Sequence, residues 1–501
     1  MNEEIDALQK QGTWSLVPCP DHKNIVGSKW IYKVKRNPDG SISRYKARLV
    51  AQGFSQAKGL DYDETFSPVV RHSTVRVILA LAAMNNWELR QLDVKNAFLH
   101  GDLKEEVYMA QPQGFVDPVH PDYVCLLRKS LYGLKQAPRA WNEKFTSFLP
   151  SLGFVFSHSD PSLFVHHSCT GMVALLLYVD DIVITGSDSA GINTVISELS
   201  MVFDMKDLGS LSYFLGLEIT RVKHGIFLNQ TKYASDLLVK SGMDTLKACS
   251  SPCLPHYHMT KDQGTPLKDP TPYRSIVGAL QYLTFSRPDI AYAVNTVCQF
   301  MTSPTDVHYA AVKRILRYLQ GSLQKGLFFS SNGALPNSVY IKAFCDADWA
   351  GEVIQRRSTT GFIVYLGACP VSWQSKKQGT VSRSSTEAEY RSLANTAAEI
   401  SWIRHLLCDL QVRIPYAPLL KCDNMSALAL ASNPVFHSRI KHLDNDFHFV
   451  RERVQHNDLK LEYVSTKEQT ADVLTKGLPS PLFQSHCTNL RLVTLAEIEG
   501  G

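Results

Sequence analysis

Met172-Val173-Ala174-Leu175-Leu176-Leu177-Tyr178-Val179-Asp180-Asp181-Ile182-Val183-Ile184 sets two adjacent acids inside an otherwise apolar run. The run reads as strand, acidic turn, strand. Buried charge is costly unless something compensates it. Clustered carboxylates are the hard oxygen ligands that Mg2+ prefers, so a divalent ion is the obvious compensator. A solvated hairpin turn, where Asp is common, is the plainer alternative. Neighbours on a regular strand point to opposite faces. Asp180 and Asp181 therefore share a site only if the turn twists them together, with Asp180 expected as the stronger ligand.

Working outward, Asp93 in Asp93-Val94-Lys95-Asn96-Ala97-Phe98 ends the short strand pattern Leu89 to Val94 and supplies a third carboxylate. Three acids can hold two Mg2+ ions about 4 Å apart, which clamp the attacking and leaving oxygens of an in-line phosphoryl transfer. Further upstream, Lys29 to Lys35 and Tyr45 to Val50 read as two strands of a hairpin with Asn37-Pro38-Asp39-Gly40 at its tip. Between Lys29 and Lys58 there are eight Lys or Arg residues and one acid, Asp39. That stretch suits phosphate contact or a solvated basic face. Val75 to Met84 predicts an apolar helix, and the Pro-, Gly- and Asp-rich residues 112–122 a loop.

Composition changes from about 240 to 270, where Pro, Ser, Asp and Lys mark a linker. Helical patterns follow at Ser275 to Phe285, Ile290 to Met301 and Val307 to Leu319. From Val339 a new order begins: strands at Ile341 to Cys345, Gly361 to Leu366 and Val371 to Gln374, a helix from Ser385 to Leu410, and a strand ending at Cys422-Asp423. Two further helices flank the strand Leu459 to Val464, completing a mixed α/β unit. This unit carries a second set of acids: Asp346, Glu389, Asp423 and Asp472. Brought together they make a two-metal nuclease site; singly, each suits an N-cap, turn or surface charge. Glu387 competes with Glu389, but two helical residues lie roughly 200° apart around the axis, so both cannot face one site. Glu389 shares its face with Leu393, Thr396 and Ile400, which points it inward. Asp348 is a similar decoy beside Asp346.

The bulk numbers exclude little but bound much. The chain has 501 residues, 44% hydrophobic and 20% charged, with net charge +5, which is the profile of a multidomain globular protein and does not by itself require a nucleic-acid partner. Eleven scattered cysteines form no disulfide framework, and no signal segment or membrane-length apolar run is present, so an intracellular, cytoplasmic or nuclear setting and no membrane partner are expected. Cys249, Cys253, His256 and His258 invite a zinc reading, but with no paired second knuckle plain loop residues are the better account.

Several long phrases carry a family resemblance. They are Ser28-Lys29-Trp30-Ile31-Tyr32-Lys33-Val34-Lys35-Arg36, Arg44-Tyr45-Lys46-Ala47-Arg48-Leu49-Val50-Ala51-Gln52-Gly53, Asp61-Tyr62-Asp63-Glu64-Thr65-Phe66-Ser67-Pro68-Val69-Val70 and Leu131-Tyr132-Gly133-Leu134-Lys135-Gln136-Ala137-Pro138-Arg139. With Tyr178-Val179-Asp180-Asp181 behind them, the chain resembles the reverse transcriptase of copia-type LTR retrotransposons. Ser384-Ser385-Thr386-Glu387-Ala388-Glu389-Tyr390, His437-Ser438-Arg439-Ile440-Lys441-His442 and Gln469-Thr470-Ala471-Asp472-Val473-Leu474-Thr475-Lys476 resemble its ribonuclease H.

The resemblance implies an α+β fold, a right-hand polymerase with fingers, palm and thumb followed by a mixed α/β ribonuclease H-like domain. Expected domains are 1–235 for fingers and palm, 236–338 for thumb and connection, 339–478 for the ribonuclease H-like domain and 479–501 for a C-terminal tail. Asp93, Asp180 and Asp181 take the places of the metal-binding, catalytic palm acids. Asp346, Glu389, Asp423 and Asp472 take those of the nuclease, with two Mg2+ ions at each site. Phe98 falls where an aromatic blocks the ribose 2′-OH, with core packing as its alternative role. Lys46 and Arg48 fall near fingers residues that grip the triphosphate, and Gln136 lies in the segment expected to line the nucleotide site. Arg356, Arg357, Lys376 and Lys377 either track the hybrid backbone or form a solvated face. The partners implied are an RNA template, a DNA or RNA primer, the RNA/DNA hybrid and dNTPs. Ribonucleases H often carry a His before the last Asp to aid product release. Ser465-Thr466-Lys467-Glu468-Gln469 contains none, so slower turnover is expected.

Two readings compete with the enzyme. One is a catalytically silent retroelement relic that merely binds nucleic acid, suggested by a start almost at the polymerase region with no capsid, protease or integrase segment. The other is an inactive partner of a second subunit. All seven acids are in place, which counts against both.

Overall fold

The computed structural model describes residues 1–500 except 37–40, 256, 332–338, 353 and 433–443. The expected turn at 37–40, His256 and the phrase from His437 to His442 thus lie outside the described residues. The chain forms two compact units, residues 1–70 with 89–210, and residues 71–88 with 211–501.

The first unit is built around a six-stranded sheet whose central hairpin is the acid-bearing stretch. Strand Met172–Tyr178 pairs antiparallel with Asp181–Gly186, flanked by Leu163–His167 and Val155–Phe156 on one side and by Glu88–Val94 and Met205–Ser210 on the other. Alternate residues Val173, Leu175, Leu177, Ile182 and Ile184 enter one core with Trp141 and Phe145 of helix Ala137–Phe148 and Ile192, Val195 and Leu199 of helix Ser189–Val202. The period-2 pattern of the strands thus meets the helical pattern of the next segment. Asp188 starts the second helix, its carboxylate accepting the Gly191 N–H at 2.8 Å.

A four-stranded sheet (Trp14–Val17, Val124–Lys129, Asp102–Met109, Ile25–Val26) and the hairpin Ser28–Arg36/Ile42–Ala51 complete this unit over a second core containing Leu49, Val107, Leu127 and Leu131. The hairpin base is fastened where the Ala51 N–H donates to the Tyr132 carbonyl at 2.8 Å. Gly133 makes this approach possible. It has φ +92°, and a Cβ there would lie 2.1 Å from the Ala51 carbonyl oxygen.

In the second unit, strands Tyr213–Phe214, Leu217–Val222, Gly225–Asn229, Lys325–Ser330 and Leu492–Thr494 form one sheet beside helices Thr271–Leu283, Ala291–Cys298 and Asp306–Gln320. Residues 211–235, expected with the palm, therefore share a sheet with 325–330. The segment expected as a tail contributes helix Ser480–Asn489 and a paired strand rather than trailing free.

The second sheet of this unit has the order Cys369–Lys377, Thr359–Leu366, Ile341–Asp348, Leu419–Cys422, Lys460–Tyr463. Its first three strands run antiparallel and the last two join in parallel. Helix Ser385–Asp409 packs on strands Ile341–Asp348 and Thr359–Leu366. Ser384 caps it, its hydroxyl accepting the Glu387 N–H at 3.2 Å. Among the described residues no helix is long and apolar enough to cross a membrane, and all eleven cysteines are free.

Candidate active sites

The hairpin tip is a two-residue turn, Val179-Asp180, closed by the pair Tyr178 and Asp181. Val179 sits at φ +55°, an unfavourable region for a β-branched residue. The Trp141 indole N–H donates to its carbonyl at 2.6 Å and holds the turn there. The Asp180 carbonyl in turn accepts the Val94 N–H at 2.9 Å, which brings the end of the Asp93 strand against the acidic turn.

Asp180 and Asp181 feel the neighbouring charges. Burial and then the Asp93 charge push the Asp180 carboxyl above its ordinary range, while Arg48 and Lys46 pull the other way. Asp181 is raised by burial and by Asp180, and its Oδ1 accepts the Gln91 side-chain amide at 3.3 Å. A set of half-buried carboxylates with nearby cations suits a divalent ion and an anionic ligand. The carboxylate oxygens here are spread more widely than those of the second unit: among the described residues, groups of three ligand atoms within 4.8 Å of one another occur only there.

Phe98 and Arg48 meet through a residue that the sequence phrase contains without marking it. The Arg48 guanidinium lies over the Tyr132 ring, 4.1 Å from its centroid, and the Phe98 ring is 4.6 Å from the same ring. Asp180 and Asp93 both raise the Tyr132 hydroxyl, after burial as the larger cause. Phe98 also packs against both cores of this unit, so it fills space between them as well as meeting Tyr132. The expectation for Gln136 needs correction. Its side chain is 0% exposed, accepts from the Gln56 amide at 3.1 Å and donates to the Asp61 carbonyl at 2.9 Å. With both ends committed it braces the loop after the fingers hairpin rather than facing a nucleotide.

In the second unit the four acids assemble more fully. Asp346 is on strand Ile341–Asp348, Glu389 on the long helix, Asp423 just after Leu419–Cys422, and Asp472 within the 3-10 turn Thr470–Leu474 rather than at a helix start. Asp346, Glu389 and Asp472 are 2%, 6% and 2% exposed. Carboxylate oxygens of Asp346, Asp423 and Asp472 lie within 4.8 Å of one another, and Asp423 also belongs to a group with Glu389 and the Cys422 thiol. Gly361 lets the turn close over Asp346, its register partner, because a Cβ there would meet Thr475 Cγ2 at 2.5 Å.

Glu389 accepts the Ala347 N–H at 3.2 Å, and the Cys422 thiol lies 3.8 Å from its other oxygen. Burial, then Asp346, pushes it up to about 11. Glu387 turns elsewhere, accepting the Arg383 N–H at 2.8 Å and Arg391 at 2.9 Å. Burial and Asp346 likewise push Asp472 up to about 8 and raise Asp423, whose Oδ2 accepts the Thr466 hydroxyl at 3.2 Å. Two residues, Thr475 and Lys476, go beyond the sequence reading. The Thr475 hydroxyl donates to Asp346 Oδ2, and the Lys476 ammonium lies 3.3 Å from that oxygen and 2.9 Å from Asp472 Oδ1. The spacing of Lys476, four residues after Asp472, is the signal that could have found it.

The zinc alternative gains nothing. The Cys249 thiol donates to the Ser251 and Arg314 carbonyls, both at 3.4 Å, and Cys249, Cys253 and His258 form no three-ligand group among the described residues. Of the four basic residues expected along a hybrid backbone or a solvated face, Lys377 is paired with Glu352 at 3.2 Å.

The chain is similar to several known proteins. The family of reverse transcriptases (RNA-dependent DNA polymerases) matches residues 11–255. A retrovirus-related Pol polyprotein from transposon RE1 of Arabidopsis thaliana is 50% identical over 98% of this chain. A putative transposon Ty5-1 protein of Saccharomyces cerevisiae is 35% identical, over 62% of this chain and 100% of its own length. The chain belongs to the copia-type Pol family. It spans 33% of the RE1 polyprotein. The foamy viral protease-reverse transcriptase, solved with double-stranded DNA, shares the fold at a TM-score of 0.52 and 13% identity, covering 92% of this chain and 68% of that one. The architecture is thus that of a right-hand polymerase followed by a ribonuclease H-like domain, and the copia-type chain carries one acid cluster in each part.

Proposed function

We propose that this chain synthesises DNA on RNA and DNA templates at the Asp93/Asp180/Asp181 site and cleaves the RNA strand of hybrids at the Asp346/Glu389/Asp423/Asp472 site. The observation that carries the first activity is the convergence of Asp93 on the Asp180-Asp181 turn, with Arg48, Tyr132 and Phe98 stacked beside it. Bound to such carboxylates, two Mg2+ ions would activate the primer hydroxyl and neutralise the departing pyrophosphate.

The protein's own groups then position the reactants. Lys46 and Arg48 draw the triphosphate, Arg48 with its planar fork already oriented on Tyr132. Phe98 crowds the sugar and so favours dNTPs over rNTPs. Trp141 fixes the turn that presents Asp180, which keeps the acids in register while a strand advances. At the nuclease site Asp346, Asp423 and Asp472 offer the hard oxygen set, and the group sharing Asp423 with Glu389 offers a second position. Arg356, Arg357 and Lys376 would contact the hybrid through phosphates, giving little sequence preference and a steep salt dependence.

The test is extension of a DNA primer on an RNA template, with wild type beside a double variant Asp180→Asn, Asp181→Asn. Mg2+-dependent extension lost in the variant supports the reading. Folded wild-type protein that binds hybrid without extending it refutes the polymerase assignment.

A further inference from the structure

Three of the four nuclease acids are almost wholly buried, yet metal-free protein must keep them together. Uncompensated carboxylates so placed would strongly destabilise the fold. The compensation visible in the structure is Lys476. Its ammonium lies 3.3 Å from Asp346 Oδ2 and 2.9 Å from Asp472 Oδ1, between two acids of the three-carboxylate group. The Asp472 Oδ1 atom is buried and receives no hydrogen bond of good geometry, so the ion pair is what balances it. The lysine is not locked in, its side chain being 36% exposed, and it stands one residue after Thr475, which also binds Asp346.

We propose that Lys476 is a built-in cation of the nuclease centre, holding Asp346 and Asp472 together without metal and competing with a divalent ion for that carboxylate pair. The inference rests on the nuclease reading above. An ammonium and a divalent ion cannot both stand between these oxygens at such distances, so metal entry requires the lysine to swing toward solvent. Lys476 is therefore a positioning residue that sets the metal affinity of the site and protects its geometry between turnovers. Two effects of opposite sign follow from neutralising it: the metal-free fold weakens, and the metal binds more tightly.

The test uses the full chain with Asp180→Asn and Asp181→Asn, so that the polymerase acids contribute little binding. Mn2+ titration calorimetry and thermal unfolding in EDTA and in saturating Mn2+ are compared for this parent, Lys476→Met and Lys476→Arg. Lys476→Met should bind Mn2+ about tenfold tighter or more, as loss of one adjacent positive charge implies, and unfold at lower temperature in EDTA, with the deficit closing in Mn2+. Lys476→Arg should resemble the parent in both. Unchanged or weaker Mn2+ binding by Lys476→Met, or an equal loss of stability with and without metal, overturns the inference. Should Lys476→Met fail to fold, Lys476→Gln replaces it. Failure of both in EDTA with recovery in Mn2+ supports the competition, and failure in both conditions overturns it. A parent whose Mn2+ binding is untouched by Asp423→Asn overturns the nuclease reading itself, a result distinct from the others.

Discussion

The two acid clusters of this chain solve the same electrostatic problem differently. The polymerase acids sit on a strained two-residue turn and a strand end, only partly buried, and Asp180 leans on Arg48 and Lys46 for partial compensation. The nuclease acids come from a strand, a helix, a strand end and a 3-10 turn, are largely buried, and carry Lys476 among them. A site on a turn is open to a long substrate and is completed by what binds. A site deep in a sheet-and-helix layer is assembled beforehand and must bring its own countercharge. The lesson is that burial, more than the number of carboxylates, decides whether a metal centre needs an internal cation.

The contrast can be broken most severely by exchanging the losses. Asp346→Asn should lower hybrid cleavage by about a thousandfold or more and leave primer extension near wild type, as read by gel assays on one preparation. Comparable loss of both activities would mean that the clusters are not independent.

Acidity sharpens it next. Glu389 and Asp472 have folded pKa values above their unfolded ones, near 4.5 and 3.8, so the native state holds more protons. Metal-free stability should therefore fall as pH rises from about 4, through about 8 for Asp472 and on toward about 11 for Glu389, and Mn2+ binding should release protons in that window. Thermal unfolding in EDTA across pH, with wild type against Glu389→Gln plus Asp472→Asn, checks this. The double variant should be flatter. Asp180→Asn plus Asp181→Asn should alter the slope less, because those acids are less buried.

The smallest effect concerns the turn. Trp141→Phe removes the donor to the Val179 carbonyl and should cost about 1 kcal/mol of stability in denaturant unfolding. It should slow primer extension while sparing hybrid cleavage. Equal slowing of both would assign Trp141 to general packing.

Much of this is legible in the chain. The apolar run interrupted by Asp180-Asp181 specifies the hairpin because strand composition and turn chemistry agree there. Helical spacing separates Glu389 from Glu387, and the two side chains do go to different partners. Less is readable where function depends on contacts between segments distant in sequence. Tyr132 lies inside a family phrase, but that Arg48 and Phe98 meet on its ring is visible only once the Ser28–Arg36/Ile42–Ala51 hairpin is folded against it. The neighbourhood of Gln136 suggests a place near the nucleotide, whereas its amide is consumed by Gln56 and Asp61. Asp472 looks set to open a helix, but the tight 3-10 turn aims both it and Lys476 at Asp346. Residues 211–235 and 479–501 pair outside the segments expected for them for the same reason, since strand pairing across a hundred residues or more leaves no local signature.

The most direct test is a single assay with a DNA primer on an RNA template, both strands labelled, in Mg2+, comparing wild type with Asp180→Asn. Two independent centres predict that wild type extends the primer and cuts the template, while the variant only cuts. A variant that loses both activities, or keeps both, would contradict the account.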